Sequence, residues 1–170
     1  MFNILPATPA DIPVLRELAH RIWHAYYPGI ISREQIDYML ARMYAVEVIR
    51  AELAVGVAWE LARHEGEPAG FSAFSFDAEP RRGKLHKLYL LPALHGRGFG
   101  RQMLDHVKAR AVALGAREIV LQVNKQNRRA VRAYERAGFQ TRETAVADIG
   151  GGFVMDDYIM ALALPENGMR

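Results

Sequence analysis

The stretch Leu85-His86-Lys87-Leu88-Tyr89-Leu90-Leu91-Pro92, followed by Ala93-Leu94-His95-Gly96-Arg97-Gly98-Phe99-Gly100-Arg101, decides how this chain is read. Residues 85–91 have the apolar and aromatic content of a central strand, and Pro92, which has no amide proton, stops it. Residues 98–114 carry Met103, Leu104, Val107, Ala111 and Leu114 at helical spacing, with Arg101 and Asp105 one turn apart on the outer face and Gly115 as the stop. The unit is strand, loop, helix, with three glycines where the helix opens. A helix start leaves amides without an intrahelical acceptor, and glycine lets an anion come close to them. A pyrophosphate suits such a loop. Taken alone, Gly96, Gly98 and Gly100 would equally serve a plain turn.

Two known glycine patterns do not fit. The dinucleotide fingerprint needs a third glycine where Arg101 stands, and the phosphate-binding loop of nucleotide hydrolases needs Gly-Lys-Ser/Thr, which the chain lacks.

Working outward, residues 2–6 read as a short strand. Thr8-Pro9-Ala10-Asp11 then supplies an N-cap, a proline at the first helical position and an acid three residues on, a capping box in its aspartate form. The helix it opens places Ile12, Leu15, Leu18, Ala19 and Ile22 on one stripe and ends before Pro28-Gly29. Ser32-Arg33-Glu34-Gln35 caps a second helix with Ile36, Met39, Leu40 and Met43 inward, and a shorter third helix covers residues 46–53. A hairpin follows: residues 55–61, a turn at 64–68, and 70–76. A charged loop spans 77–84. After the central unit come a strand at 118–124, a helix at 127–137 stopped by Gly138, and two strands at about 139–147 and 153–164. The order is β, two or three helices, three β, α, β, α, two β, in an α/β (α+β) arrangement. No repeat or linker interrupts it, so residues 1–170 are expected to form a single domain.

The composition excludes several classes of function. With 51% hydrophobic and 24% charged residues, 170 residues suffice for a core without staples. The chain has no cysteine, which removes disulfides, thiolate metal sites and cysteine nucleophiles. The net charge of +3 is spread along the chain and reaches its densest positive group at Lys125, Arg128, Arg129 and Arg132. That bias is too weak for nucleic acid and better matched to a small anion. No apolar run approaches the ~20 residues of a membrane span and no signal peptide is evident, so a cytoplasmic protein is expected. His20 and His24 lie one helical turn apart, but the segment lacks the glutamate of a zinc-protease helix and a third ligand, so no metal is expected. Gly70-Phe71-Ser72-Ala73-Phe74 lacks the closing glycine of a nucleophile elbow.

His95-Gly96-Arg97-Gly98-Phe99-Gly100 resembles the Gln/Arg-x-x-Gly-x-Gly/Ala signature of GCN5-related N-acetyltransferases, with Leu88-Tyr89-Leu90 immediately before it as in that family. Asn124, Asn127, Ala130, Tyr134, Gly138 and Phe139 look like the family's second block, an asparagine-headed helix with a tyrosine that ends at Gly-Phe. The resemblance runs over most of the chain, including the opening strand and helix, residues 23–27 and 35–39, and the tail strand through Asp157-Tyr158-Ile159-Met160. His95 departs from the usual Gln or Arg.

The resemblance implies a mixed, mostly antiparallel sheet of about seven strands with about four helices, splayed between the strands ending at Leu91 and Asn124 to admit acetyl-coenzyme A. Backbone groups of Leu88, Tyr89 and Leu90 would pair with the pantetheine arm. The segment His95, Gly96, Arg97, Gly98, Phe99, Gly100 and Arg101 would hold the pyrophosphate, and Asn127 would bond the cofactor arm. Tyr134 would act as general acid for the departing thiolate, which is chemically reasonable because a phenol and a thiolate have comparable basicity. Tyr134 also fits as a half-buried tyrosine on the stripe with Ala130 and Val131.

A protonated amine must lose a proton before it can attack, and His86, near the position of a glutamate base in several resembling enzymes, is the candidate base. An ordinary exposed histidine is the competing account, and a water chain could carry the proton instead. Trp23, His24, Tyr26 and Tyr27, at the end of the first helix, are expected with Asn124 to border the acceptor, although core packing would explain each aromatic residue equally well. The expected reaction is direct acetyl transfer to a primary amine, first of all a polyamine or related small amine. A peptide amino terminus, an aminoglycoside, or a coenzyme A-binding module without turnover are the alternatives. The oligomeric state, a homodimer among the options, is left open.

Overall fold

The computed structural model describes residues 1–166; the last four positions of the expected domain, 167–170, lie outside it. Seven strands are hydrogen-bonded in the order β1-β2-β3-β4-β5-β7-β6. They are β1 (Phe2–Pro6), β2 (Ala58–His64), β3 (Glu67–Asp77), β4 (Arg82–Leu90), β5 (Glu118–Asn124), β6 (Gln140–Gly150) and β7 (Phe153–Ala163). The helices are α1 (Ile12–Tyr26), α2 (Arg33–Met43), α3 (Val46–Ala54), α4 (Phe99–Ala113) and α5 (Arg128–Arg136). The expected order of elements is found, with five α-helices among the described residues rather than about four. The sheet is mixed, because β4 and β5 run parallel while β1–β2, β2–β3, β5–β7 and β6–β7 are antiparallel.

The contacts divide the chain into two compact units. The first, Met1–Ser75 with Lys87–Val107, is built around a buried set from α1, α2 and the first hairpin. Its largest buried side chains include Trp23, Tyr44, Trp59 and Phe71; Tyr44 meets the other three rings edge-on and Trp59 stacks on Phe71, all at 5.8–6.1 Å. A second cluster joins Ala62, Ala69, Leu90 and Met103, with Phe2, Ile4, Leu88, Leu94 and Phe99 packed against it, and so seats the start of α4 on the end of β4. Gly70 has a packing reason: a Cβ there would stand 2.3 Å from the carbonyl oxygen of Tyr89. Only a bare backbone lets β3 come so close to the end of β4.

The second unit, Phe76–His86 with the described residues from Lys108 on, holds the parallel pairing of β4 with β5, from Arg82↔Glu118 to Leu85↔Leu121, and the β5–β7–β6 ladder. Ile119, Leu121 and Met160 are buried on one face of that ladder. Glu118 receives Arg82 and Arg142, each at 2.7 Å, and these hydrogen bonds, led by Arg142, hold its carboxyl below the usual range.

Three boundaries differ from the sequence expectation. Thr8 and Asp11 form the expected capping box, yet residues 9–11 make a separate 3-10 turn before α1. Val55 and Gly56 close α3 instead of opening β2, since the amide of Val55 bonds back to Ala51 and that of Gly56 to Leu53. The charged residues assigned to a loop at 82–84 instead begin β4, because Arg82 and Lys84 lie on the exposed face of the strand while Gly83 and Leu85 are buried.

Candidate functional site

The first unit carries the glycine-rich loop. Pro92–Leu94 makes one 3-10 turn after β4, and α4 starts at Phe99. The amide of Gln102 donates to the carbonyl of Gly98 at 3.1 Å, which makes Gly98 the residue that heads the helix. The amides of Phe99, Gly100 and Arg101 then precede the first residue with an intrahelical acceptor, and the positive end of the helix dipole lies with them. Gly96 and Gly98 adopt φ of +75° and +83°, a backbone that side chains rarely accept, and a Cβ on either, or on Gly100, would project into open space. The donor chemistry and the open approach fit a pyrophosphate.

His95 turns away from that approach. Its Nε2 lies 2.9 Å from the carbonyl oxygen of Leu90, a contact in which the ring nitrogen must donate, and its ring meets Tyr26 edge-on at 5.8 Å. The side chain that replaces the family's Gln or Arg thus ties the loop back to the end of β4. Arg97 lies over the Phe99 ring, and Arg101 reaches Asp105 at 3.8 Å on the exposed face, as the i, i+4 spacing predicted. Leu88 and Tyr89 are half-buried and Leu90 is buried.

The aromatic residues of α1 divide. Trp23 and Tyr27 are buried, with their rings 4.5 Å apart and the Tyr27 hydroxyl 3.1 Å from that of Tyr89; Tyr26 is half-buried. His24 is held by Asp37 at 2.8 Å and by the carbonyl of His20 at 2.8 Å, and it lines a shallow groove with Pro28, Arg33 and Ile36. Sequence reasoning passed over Lys87, which is buried with its ammonium 4.9 Å from the Trp59 ring centre and 5.5 Å from that of Tyr44. It also passed over Glu60, buried on β2 and paired with His106 of α4. Burial raises the Tyr44 hydroxyl well above the usual phenol range.

The second unit carries His86, Asn124, Asn127 and Tyr134. His86 is exposed on β4. The side-chain oxygen of Asn124 accepts from the amide of Gln126 at 2.9 Å, and that of Asn127 caps α5 by accepting from Ala130 at 3.3 Å. Tyr134 is half-buried against Phe139, with ring centres 5.6 Å apart. The residue missed in this unit is Asp157, only 4% exposed on β7, whose signal in the sequence was an acidic pair inside an apolar strand. Its carboxyl is raised to about 6 by burial first and then by Asp156, with Lys125 acting in the opposite direction.

Residues 15–139 match the model of the acetyltransferase (GNAT) family, close to three quarters of the chain. The chain belongs to this family. Among GNAT relatives, an uncharacterized N-acetyltransferase of Mycobacterium tuberculosis is 37% identical over 103 residues, covering 61% of this chain and 65% of that protein's length. A spermidine N(1)-acetyltransferase of Thermoplasma acidophilum is 25% identical over 151 residues, covering 86% of this chain and 90% of that protein. Among solved structures, the PaiA N-acetyltransferase of Thermoplasma acidophilum in complex with coenzyme A superposes with a TM-score of 0.83 at 24% identity, over 96% of this chain and 99% of that one. The GNAT fold implied by the resemblance of the two sequence blocks is the fold observed.

Proposed function

We propose that this GNAT chain acts as one N-acetyltransferase domain, moving an acetyl group from acetyl-coenzyme A directly to a primary amine, with a polyamine or related small amine as acceptor. The observation that carries this reading is the loop at residues 95–101, where amides at a helix start, two left-handed glycines and the turned-back His95 leave an anion-sized approach within a matched GNAT segment. Similarity to the spermidine acetyltransferase supports the acceptor class.

Amides of residues 96–101 would hold the pyrophosphate, backbone groups of Leu88, Tyr89 and Leu90 the pantetheine arm, and Asn127 would add a hydrogen bond to that arm. Acetyl-coenzyme A supplies the activated acyl group. His86 takes the proton from the acceptor ammonium, which frees its lone pair to attack the thioester carbon. The amide of Leu90 donates to the oxygen that gains charge as the carbonyl opens. Tyr134 donates its hydroxyl proton to the sulfur as the carbon–sulfur bond breaks. Half-buried Tyr26, His24 and Asn124 are the residues proposed to meet the acceptor, whereas Trp23 and Tyr27, expected there from the sequence, are buried in the core.

Thiol release from acetyl-coenzyme A over a panel of putrescine, spermidine, a peptide with a free amino terminus and an aminoglycoside tests this. Release fastest with the polyamines is expected. Tight coenzyme A binding with no release on any acceptor would replace the enzyme by a binding module.

A further inference from the structure

Strand β7 reads Phe-Val-Met-Asp-Asp-Tyr-Ile-Met, apolar but for its acidic pair. The two acids differ. Asp156 is exposed and ion-paired to Lys125 at 2.6 Å. Asp157 points to the other face, is 4% exposed, and lies in register with Asn124 of β5 and Ala145 of β6. Directly paired residues of an antiparallel ladder project to the same side, so Asp157 shares a face with Asn124, Gln122 and Ile159. Among the described residues, no hydrogen bond reaches its carboxylate; Asn124 opposite it accepts at its side-chain oxygen from the amide of Gln126. By strand alternation and register, the other charged or titratable groups on this face are Arg82, Lys84 and His86 of β4, Glu118 of β5 and Glu143 of β6, with Arg142 bonded to Glu118 and the Asp156–Lys125 pair alongside.

A largely buried carboxylate that keeps only a narrow opening to solvent and receives no donor is unfavourable unless something else supplies the charge. We propose that Asp157 is the anionic subsite of the acceptor: it receives a protonated amine of a cationic substrate and thereby selects amines of the polyamine class over neutral acceptors. This inference rests on the amine-acceptor reading above. A cation at this position would meet an acceptor-only group in a poorly hydrated site, where attraction between charges is stronger than at the surface.

The test is Asp157→Asn, close in shape but uncharged, with the diamine putrescine as probe in two assays: calorimetric titration into coenzyme A-saturated protein and steady-state acetylation. Removal of the charge should weaken diamine binding and raise the acceptor KM at least about tenfold, with kcat within about threefold and coenzyme A affinity unchanged. Diamine affinity of the native protein should rise between pH 5 and 7, as the carboxyl near 6 ionises. That limb should vanish in Asp157→Asn; a limb that persists there belongs to another group and overturns the subsite. Equal diamine affinity in the Asn variant, or a fall in kcat at unchanged KM, overturns the subsite. Diamines that bind through Asp157 without being acetylated remove the acetyltransferase reading and keep the subsite. Acetylation with the same KM in both proteins does the reverse, and a native protein that neither binds nor acetylates a diamine removes both.

Discussion

The loop at residues 95–101 and the β5–β7 face of the second unit solve opposite problems. The loop is made of backbone: its glycines have no side chain to offer, His95 bonds to Leu90, and what remains for an anion is a set of amides. The face around Asp157 is made of side chains on a regular ladder, where the backbone is fully used by β5 and β6 and only the substituents differ. A backbone site depends on conformation, so it tolerates few changes of residue but many ligands bearing phosphate. A side-chain site depends on identity and charge, so one substitution can change what is bound without moving a strand. On the function proposed above, this contrast would assign donor recognition to the loop and acceptor selection to the ladder.

Tyr134→Phe is the strongest expected break. Loss of one hydroxyl should lower kcat by about a hundredfold, the lower end of what a positioned general acid contributes, and leave coenzyme A affinity within about twofold. Steady-state rates beside a calorimetric Kd measure both. An unchanged kcat would return Tyr134 to packing against Phe139.

Gly98→Ala should do the opposite. At φ +83° an added Cβ is strained by about 1–2 kcal/mol even though it meets no neighbour, so the loop must relax out of the conformation that presents its amides. Coenzyme A should bind roughly tenfold more weakly, while kcat at saturating donor stays near native. If the variant binds coenzyme A normally, the loop is a turn and not a cradle.

Legibility in the sequence followed the same contrast. Punctuation revealed the loop: Pro92, three glycines and the apolar spacing of α4 have one conformational meaning almost wherever they occur. Thr8, Ser32 and Asn127 marked helix starts for the same reason. Side-chain environments were not written locally. Trp23 and Tyr27 form a plausible aromatic wall in sequence, and only packing against Tyr44 and Tyr89 puts them in the core. Lys87 looked like one more strand lysine until Trp59 and Tyr44 came beneath it. Asp157 became distinct from Asp156 only through the register that buries one and leaves the other to Lys125.

The smallest expected effect is on stability, and its sign is the informative part. An aspartate whose folded carboxyl titrates at about 6 instead of 3.8 holds its proton more tightly when folded. Its contribution is therefore most favourable below the unfolded value, declines as pH rises between 3.8 and about 6, and stays unfavourable above that. Asp157→Asn should remove a penalty of about 1–3 kcal/mol at pH 7.5 and change little at pH 4. At about 2–4 °C per kcal/mol for a chain of this size, thermal unfolding should shift upward by several degrees at pH 7.5 only. A variant more stable than the native protein yet weaker for diamines would mark Asp157 as a charge kept for binding against the preference of the fold. A variant destabilised at pH 7.5 would mean that the carboxylate is already satisfied within the protein, and the contrast between the loop and the ladder would lose its acceptor half.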